Sequence, residues 1–346
     1  MKEDIKSLPP EKLAGFLAGL GQPKYRTGQI FAWLYRGVYD FDEMTDLSLE
    51  LRELLKETAY IERGELLQVR RSRDGTRKYL LGFKDGEAVE SVFMKYKYGN
   101  SACVSSQAGC RMGCAFCASA LKGLSRNLTA GEMAEEIIAM EKDTGEKCSH
   151  VVVMGTGEPL DNYQNLARFL SLIHEKKGLA LGYRNVTVST CGLLPAMERL
   201  RREFPQVNLA VSLHAPNQSL RSRLMPVARQ YQMDRLLAAC REHGQETGRR
   251  VTFEYALIEG FNDQPAHGEE LANRLSGMLC HVNLIPLNPV SETPWKGSDR
   301  KTAEAFKVLL ERRGVPVTLR RSLGADIDAA CGQLRLCKGG PGKVQE

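Results

Sequence analysis

From about residue 100 onward, short strand-like segments alternate with helix-like ones. The strand candidates are "ACVSSQ", "HVVVMG", "NVTVST", "VNLAVSLH", "RVTFEYALI" and "HVNLIPLN". Helical periodicity over about 10 to 15 residues fills most of the gaps between them. Strand–helix alternation implies a parallel sheet with right-handed crossover helices. Six such units are too few to close a (βα)8 barrel, so the pattern predicts an α/β fold built on an open, partial (βα)6 barrel. In such folds ligands sit at the C-terminal ends of the strands. Those ends read "GTGEPL", "STCG", "SLHAP" and "PLNPV", all polar or turn-forming.

The flanks differ. Residues 1–62 read as a small helical accessory domain: "LPPEKLAGFLAGLG" has proline at a helix start and Gly21 at its end, and "TGQIFAWLYRG" and "DLSLELRELLKETA" keep helical spacing. Residues 63–100 read as a β extension with turns at Asp74-Gly75 and Asp85-Gly86. The barrel is expected over 101–335, and "TAGE" at 129–132 is a capping box for its first helix. Residues 336–346, ending "KGGPGKVQE", read as a flexible tail.

The 346 residues carry 42% hydrophobic and 26% charged side chains, which places the chain among ordinary soluble proteins. "MKEDIKSLPPEK" has no apolar leader core, and no apolar run approaches the roughly 18 residues a membrane span needs. A cytoplasmic protein with no membrane partner is expected. Net charge is +6, and basic residues gather in "RRSRDGTRK", "RSRLMPVARQ" and "VTLRRS". That permits a polyanionic partner without requiring one.

Ten cysteines in a reducing compartment point to metal or redox chemistry rather than to a disulfide framework. Cys148, Cys240 and Cys280 are scattered and read as small buried hydrophobes. "CRMGCAFC" is different: Cys110, Cys114 and Cys117 share one loop after the first barrel strand, with Gly109 and Gly113 easing its turns. Three soft donors suit an iron–sulfur cluster with one iron left open for a substrate. A zinc site completed by a remote Cys or His is the other reading of the same three thiols, and it would make the chain a non-enzymatic, metal-stabilised RNA-binding protein.

The C-x3-C-x2-C loop, with Phe116 before its last cysteine, resembles the radical S-adenosylmethionine (radical SAM) superfamily. "CVSSQAGCRMGCAFCASALKGLSRNLTAGE", "GTGEPLDNYQN", "VTVSTCGLLP", "LAVSLHAPNQSLRSRLMP", "VTFEYALIEGFND", "NLIPLNP" and "DIDAACGQLR" resemble the RlmN family within it. The likeness runs from about residue 10 to 336. It implies a 4Fe–4S cluster on Cys110, Cys114 and Cys117, with S-adenosylmethionine as cofactor. It also implies methylation of carbon-2 of a specific adenine in the peptidyl-transferase loop of 23S rRNA, and of the adenine 3′ of the anticodon in some tRNAs. A flavodoxin-like electron donor and a monomeric enzyme are the family expectations. A Cfr-type enzyme, acting on carbon-8 of the same rRNA adenine, shares the cluster and both catalytic cysteines. "GEPL" in place of "GEAL" favours carbon-2.

The resemblance also assigns residues. Cys331 in "DIDAACGQLR" matches the S-methylcysteine carrier, and Cys103 in "SACVSSQ" the thiol that resolves the protein–RNA link by a transient disulfide with Cys331. Glu90 in "AVESVF" matches the proton acceptor. Gly157 and Glu158, Ser189, the run Ser212, Leu213 and His214, and Asn288 match S-adenosylmethionine contacts. Cys191 and Cys337 match no catalytic position. Thr156 stands where the family often has Met, and a minor effect is expected.

Overall fold

The structure, a computed structural model, describes residues 2–320, 323–334 and 337–338. At the N-terminus β1 (Glu3–Asp4) pairs in parallel with β2 (Ala59–Tyr60), strapping three helices between them. These are α1 (Pro10–Gly19), α2 (Tyr25–Tyr35) and α3 (Leu49–Thr58). Pro10 opens α1, where its missing N–H is no loss. Ser48 caps α3 by accepting the Leu51 N–H at 3.3 Å.

The next four strands form an antiparallel meander: β3 (Glu65–Arg71), β4 (Arg77–Gly82), β5 (Glu87–Tyr96) and β6 (Gly99–Val104). Both Asp-Gly turns form as expected, with Gly75 and Gly86 at φ +88° and +85°. A short ribbon, β7 (Gln107–Gly109) with β8 (Leu124–Asn127), brackets the cysteine loop; the sequence reading did not anticipate it.

At β6 the sheet changes from antiparallel to parallel. Six strand–helix steps follow, through α4 (Ala130–Thr144), β9 (His150–Val153), α5 (Tyr163–His174), β10 (Val186–Thr190), α6 (Leu194–Glu203) and β11 (Asn208–Ser212). They continue through α7 (Gln218–Leu224), α8 (Met233–Thr247), β12 (Val251–Leu257), α9 (Pro265–Leu275), β13 (Cys280–Pro286) and α10 (Arg300–Arg312). The predicted capping box starts α4: Thr129 Oγ1 accepts the Glu132 N–H at 3.1 Å, and Glu132 accepts the Thr129 N–H at 2.8 Å.

The partial barrel therefore forms, with one addition. A seventh parallel strand, β14 (Val317–Leu319), pairs with β13 at the open edge. Three residues are too short a run for periodicity to reveal. Meander and barrel share one sheet, ordered β14-β13-β12-β11-β10-β9-β6-β5-β4-β3. Within the stretch read as a flexible tail, β15 (Cys337–Lys338) pairs antiparallel with β5; residues 339–346 lie outside the described residues.

The helical N-terminal unit packs on α4 through a fully buried ion pair, Lys6 with Glu135. Lys6 Nζ also donates to the Glu62 carbonyl at 3.1 Å, and the Tyr39 hydroxyl donates to Glu135 at 2.5 Å. With these bonds the buried charges are paired, as burial demands. Cys148, Cys240 and Cys280 are buried, as expected of small apolar residues. Among the described residues no helix is long and apolar enough to cross a membrane.

Candidate active site

The C-terminal ends of the parallel strands open into a cleft. Cys110, Cys114 and Cys117 line one side of it. Gly157, Glu158, Ser189, Ser212, His214 and Asn288 line the rest, and Cys331 stands at its rim. Ten of the thirteen residues singled out from the sequence thus meet in one place. Leu213 does not: its side chain is fully buried in the main core. Cys103 and Glu90 lie outside the cleft lining.

The cysteine loop is shaped by its glycines. Gly109 and Gly113 adopt φ +82° and +67°, and a Cβ on Gly109 would fall 2.0 Å from the Gly123 carbonyl oxygen. The loop is pinned by Cys110 N–H donating to that carbonyl at 2.9 Å, and by Ala115 N–H donating to Leu224 O at 2.8 Å. Burial pushes the Cys110 thiol up to about 12, and burial likewise raises Cys114 and Cys117; each also feels the negative charge of its neighbours. Three thiols so raised give up their protons readily only to a strongly positive group such as a metal cluster. Among the described residues no three His, Cys, Asp or Glu side chains close around a single point, as a mononuclear ion requires. Donors spread along one wall suit ligands to separate irons of a cluster, so the residues present fit a 4Fe–4S group.

The opposite wall is preorganised by backbone donors. Glu158 accepts Leu160 N–H at 3.0 Å and Cys191 N–H at 2.7 Å, and burial raises its carboxyl above the ordinary value. Glu158 lines the cleft, and a carboxylate so placed has the acceptor capacity to take a substrate ammonium. His214 adopts φ +55°, a left-handed conformation that costs a non-glycine residue about 1 kcal/mol or more. Asn262 Nδ2 holds it there by donating to the His214 carbonyl at 2.7 Å. His214 Nδ1 accepts the Ala256 N–H at 2.9 Å, which places the ring proton on Nε2. Burial, helped by Arg221, lowers the imidazole to about 3, so it stays neutral. Thr156 is buried beneath the cleft, and its Oγ1 finds no hydrogen-bond partner there. Cys191, read as a bystander, lines the cleft.

The loop carrying Cys331 is docked on three sides. Ala118 N–H donates to Gly332 O at 2.9 Å, and Ser119 Oγ donates to Leu334 O at 2.7 Å. Asn288 Nδ2 donates to the Cys331 carbonyl at 3.2 Å, and Gln333 Nε2 to Pro289 O at 3.0 Å. The β3–β4 turn holds the other end, through Gly324 N–H donating to Asp74 at 2.9 Å and Ser72 Oγ donating to Asp326 at 2.6 Å. Cys331 itself is exposed, and Arg320 Nη1 lies 3.9 Å from its sulfur.

Beneath that loop lie the two outlying residues. Cys103 on β6 pairs across from Val92 on β5 and packs with Ala329 and Leu334. Burial, then the charge of Cys331, raises its thiol, so Cys103 rests as a protonated sulfur close to its proposed partner. Glu90 sits two residues along β5 on the same face, buried against Lys78 at 2.7 Å. The sequence reading missed Lys78, Arg320 and the fully buried Arg221, whose Nη2 donates to the Cys191 carbonyl at 2.7 Å. Arg320 lay in a basic run already noted, but only the short strand β14 aims it inward.

Comparison with known proteins agrees with this geometry. The radical SAM superfamily matches residues 104–269, and the ribosomal RNA large subunit methyltransferase N-terminal domain matches residues 4–61. A probable dual-specificity RNA methyltransferase RlmN from Pelotomaculum thermopropionicum is 55% identical over 96% of this chain and 91% of its own. One from Desulforamulus reducens is 48% identical over 96% of both chains. The crystal structure of a radical SAM methyltransferase from Sphaerobacter thermophilus superimposes with a TM-score of 0.92 at 46% identity, covering 96% of this chain and 99% of that one. Cysteine loop, partial barrel and N-terminal unit all agree, and the chain belongs to the RlmN family of radical SAM RNA methyltransferases.

Proposed function

We propose that this enzyme methylates carbon-2 of adenine, in the peptidyl-transferase loop of 23S rRNA and 3′ of the anticodon in some tRNAs, through a methyl group first carried on Cys331. The observation that carries this reading is the position of Cys331. It shares the cleft with Cys110, Cys114 and Cys117, while its loop packs on Cys103 and is bridged to Glu90 by Lys78. Carbon-2 lies between two ring nitrogens and is too electron-poor to attack a sulfonium methyl. When bound, the cluster and S-adenosylmethionine supply the methyl group and the radical chemistry that such a carbon demands.

The chain's own residues do the rest. Glu158, Ser189, Ser212, His214 and Asn288 orient the cofactor, and neutral His214 offers Nε2–H as a donor. Cys331, exposed and flanked by Gly332, presents its sulfur to the cofactor and then its S-linked carbon to the base. Glu90 takes the carbon-2 proton as the new carbon–carbon bond forms; the hydrogen atom removed from the S-methyl group and the one electron left over would both be taken up by the redox chemistry the bound cofactors supply. Cys103 attacks the Cys331 sulfur; a disulfide forms as the sulfur–carbon bond breaks, the electron pair goes to carbon, and protonation completes the methyl group. The target adenine has to be unstacked to reach the cleft, with the N-terminal helical unit and basic barrel surfaces holding the RNA backbone. A flavodoxin-like donor, a cytoplasmic location and a monomeric enzyme complete the proposal.

Mass spectrometry of nucleosides from 23S rRNA and tRNA of a strain lacking the protein tests it. Loss of 2-methyladenosine, restored by the wild-type chain, is expected. Loss of 8-methyladenosine instead would transfer the assignment to the carbon-8 chemistry.

A further inference from the structure

Lys78 belongs to neither the cleft nor the cysteine chemistry, yet it is buried beside both. It lies on β4, directly across from Val92 of β5, and Glu90 is two residues along β5, opposite Leu80. Its ammonium group meets Glu90 Oε1 at 2.7 Å and donates to the Asp328 carbonyl at 2.9 Å. Lys78 and Glu90 are 6% and 8% exposed, so little water competes for either bond. Asp328 is held at φ +53°, in the left-handed region, three residues before Cys331. One cation thus bridges the strand that bears the carboxylate and the loop that bears the carrier sulfur.

From this bridge we infer that Lys78 is a positioning residue, registering the Glu90 carboxylate to the Cys331 loop so that proton acceptor and carrier carbon meet the same adenine. The inference rests on the reading of Glu90 as the proton acceptor. Lys78 is not needed merely to dock the loop. Asp74 on Gly324, Ser72 on Asp326, Asn288 on Cys331 and Ala118 on Gly332 hold it at both ends without Lys78. What Lys78 contributes is a direct bridge from Glu90 to the Asp328 carbonyl of the loop. Without that tie the carboxylate keeps its strand position but loses the contact that aims it at the loop. The first transfer, onto Cys331, uses neither Glu90 nor Lys78. The second, onto RNA, uses the registered pair.

The test compares full-length, anaerobically reconstituted wild type with Lys78→Met, Lys78→Arg, Glu90→Gln and the double variant Lys78→Met/Glu90→Gln. Two quantities are followed: S-methylation of the Cys331 peptide, and 2-methyladenosine formed on a tRNA transcript. In Lys78→Met, Cys331 methylation stays within about twofold, while kcat for RNA falls about 10- to 100-fold with KM little changed, the scale of a misplaced proton acceptor. Lys78→Arg, which keeps a cation of different reach, recovers part of the loss. The double variant is no slower than the slower single one, because both changes act on one unit. Removing both members of the buried pair together also leaves no stranded charge, so the double variant reports even where Lys78→Met folds poorly. Wild-type RNA turnover in Lys78→Met, or an equal loss of both transfers, would overturn the inference while leaving the Glu90 reading intact. Wild-type turnover in Glu90→Gln would overturn both.

Discussion

The backbone N–H of Ala118 donates to the carbonyl oxygen of Gly332 across 2.9 Å, tying the turn after the last cluster cysteine to the loop that carries Cys331. Next to it, buried Ser119 Oγ donates to Leu334 O at 2.7 Å. Ser119→Ala removes that second bond and strands a carbonyl, at a cost of about 1–3 kcal/mol borne by the loop. Faster amide hydrogen exchange over residues 329–334 is expected, with RNA methylation reduced several-fold and iron content unchanged.

Cys103 and Cys331 are assigned successive roles, and each role predicts its own arrested species. Cys103→Ala should accumulate a covalent protein–RNA adduct, visible as a shifted band that ribonuclease removes. Cys331→Ala should give neither adduct nor product while retaining iron–sulfur absorbance. Free, unmodified RNA and no adduct from Cys103→Ala would remove Cys103 from the scheme.

Gly109 has no room for a side chain: its φ is +82° and an added Cβ would meet the Gly123 carbonyl at 2.0 Å. Gly109→Ala forces the cysteine loop away from that carbonyl and breaks the Cys110 N–H bond to it. The expected result is loss of iron loading, read from absorbance after reconstitution, with circular dichroism near wild type. Gly123→Ala is the control, since an added Cβ there meets nothing within 4 Å, although its φ of +68° still carries some strain.

The partial barrel was legible because six of its strands are long enough to show alternation and each ends in a polar turn. β14 was not, being three residues at an edge. The cysteine triplet was legible from spacing alone. Lys78, Arg320 and Arg221 were not, because their importance lies in what folding places opposite them. "TRKYLL" gives no sign that Lys78 will meet Glu90, twelve residues away on the next strand, and then a carbonyl 250 residues on. Leu213 was placed with the cofactor contacts because it sits inside a matching run, but just past the end of β11 its side chain is buried in the main core.

Neutral His214 carries a pH signature. Its folded value is lowered from 6.5 to about 3, so between those limits the unfolded chain binds the extra proton. Stability contributed by His214 is therefore complete above pH 6.5 and is lost as pH falls toward 3. His214→Gln should show a shallower loss of thermal stability over that window. Parallel curves for the two proteins would mean the imidazole is not held neutral.

Cys103 on β6 faces Val92 of β5, two residues along the strand from Glu90, whose carbonyl accepts the Ser105 hydroxyl at 2.7 Å, while Cys331 sits on an exposed loop outside any sheet. In the proposed scheme the proton acceptor and the resolving thiol are thus spaced by the sheet, whereas the carrier sulfur is placed by the docking bonds of its loop, each of which a single substitution can remove.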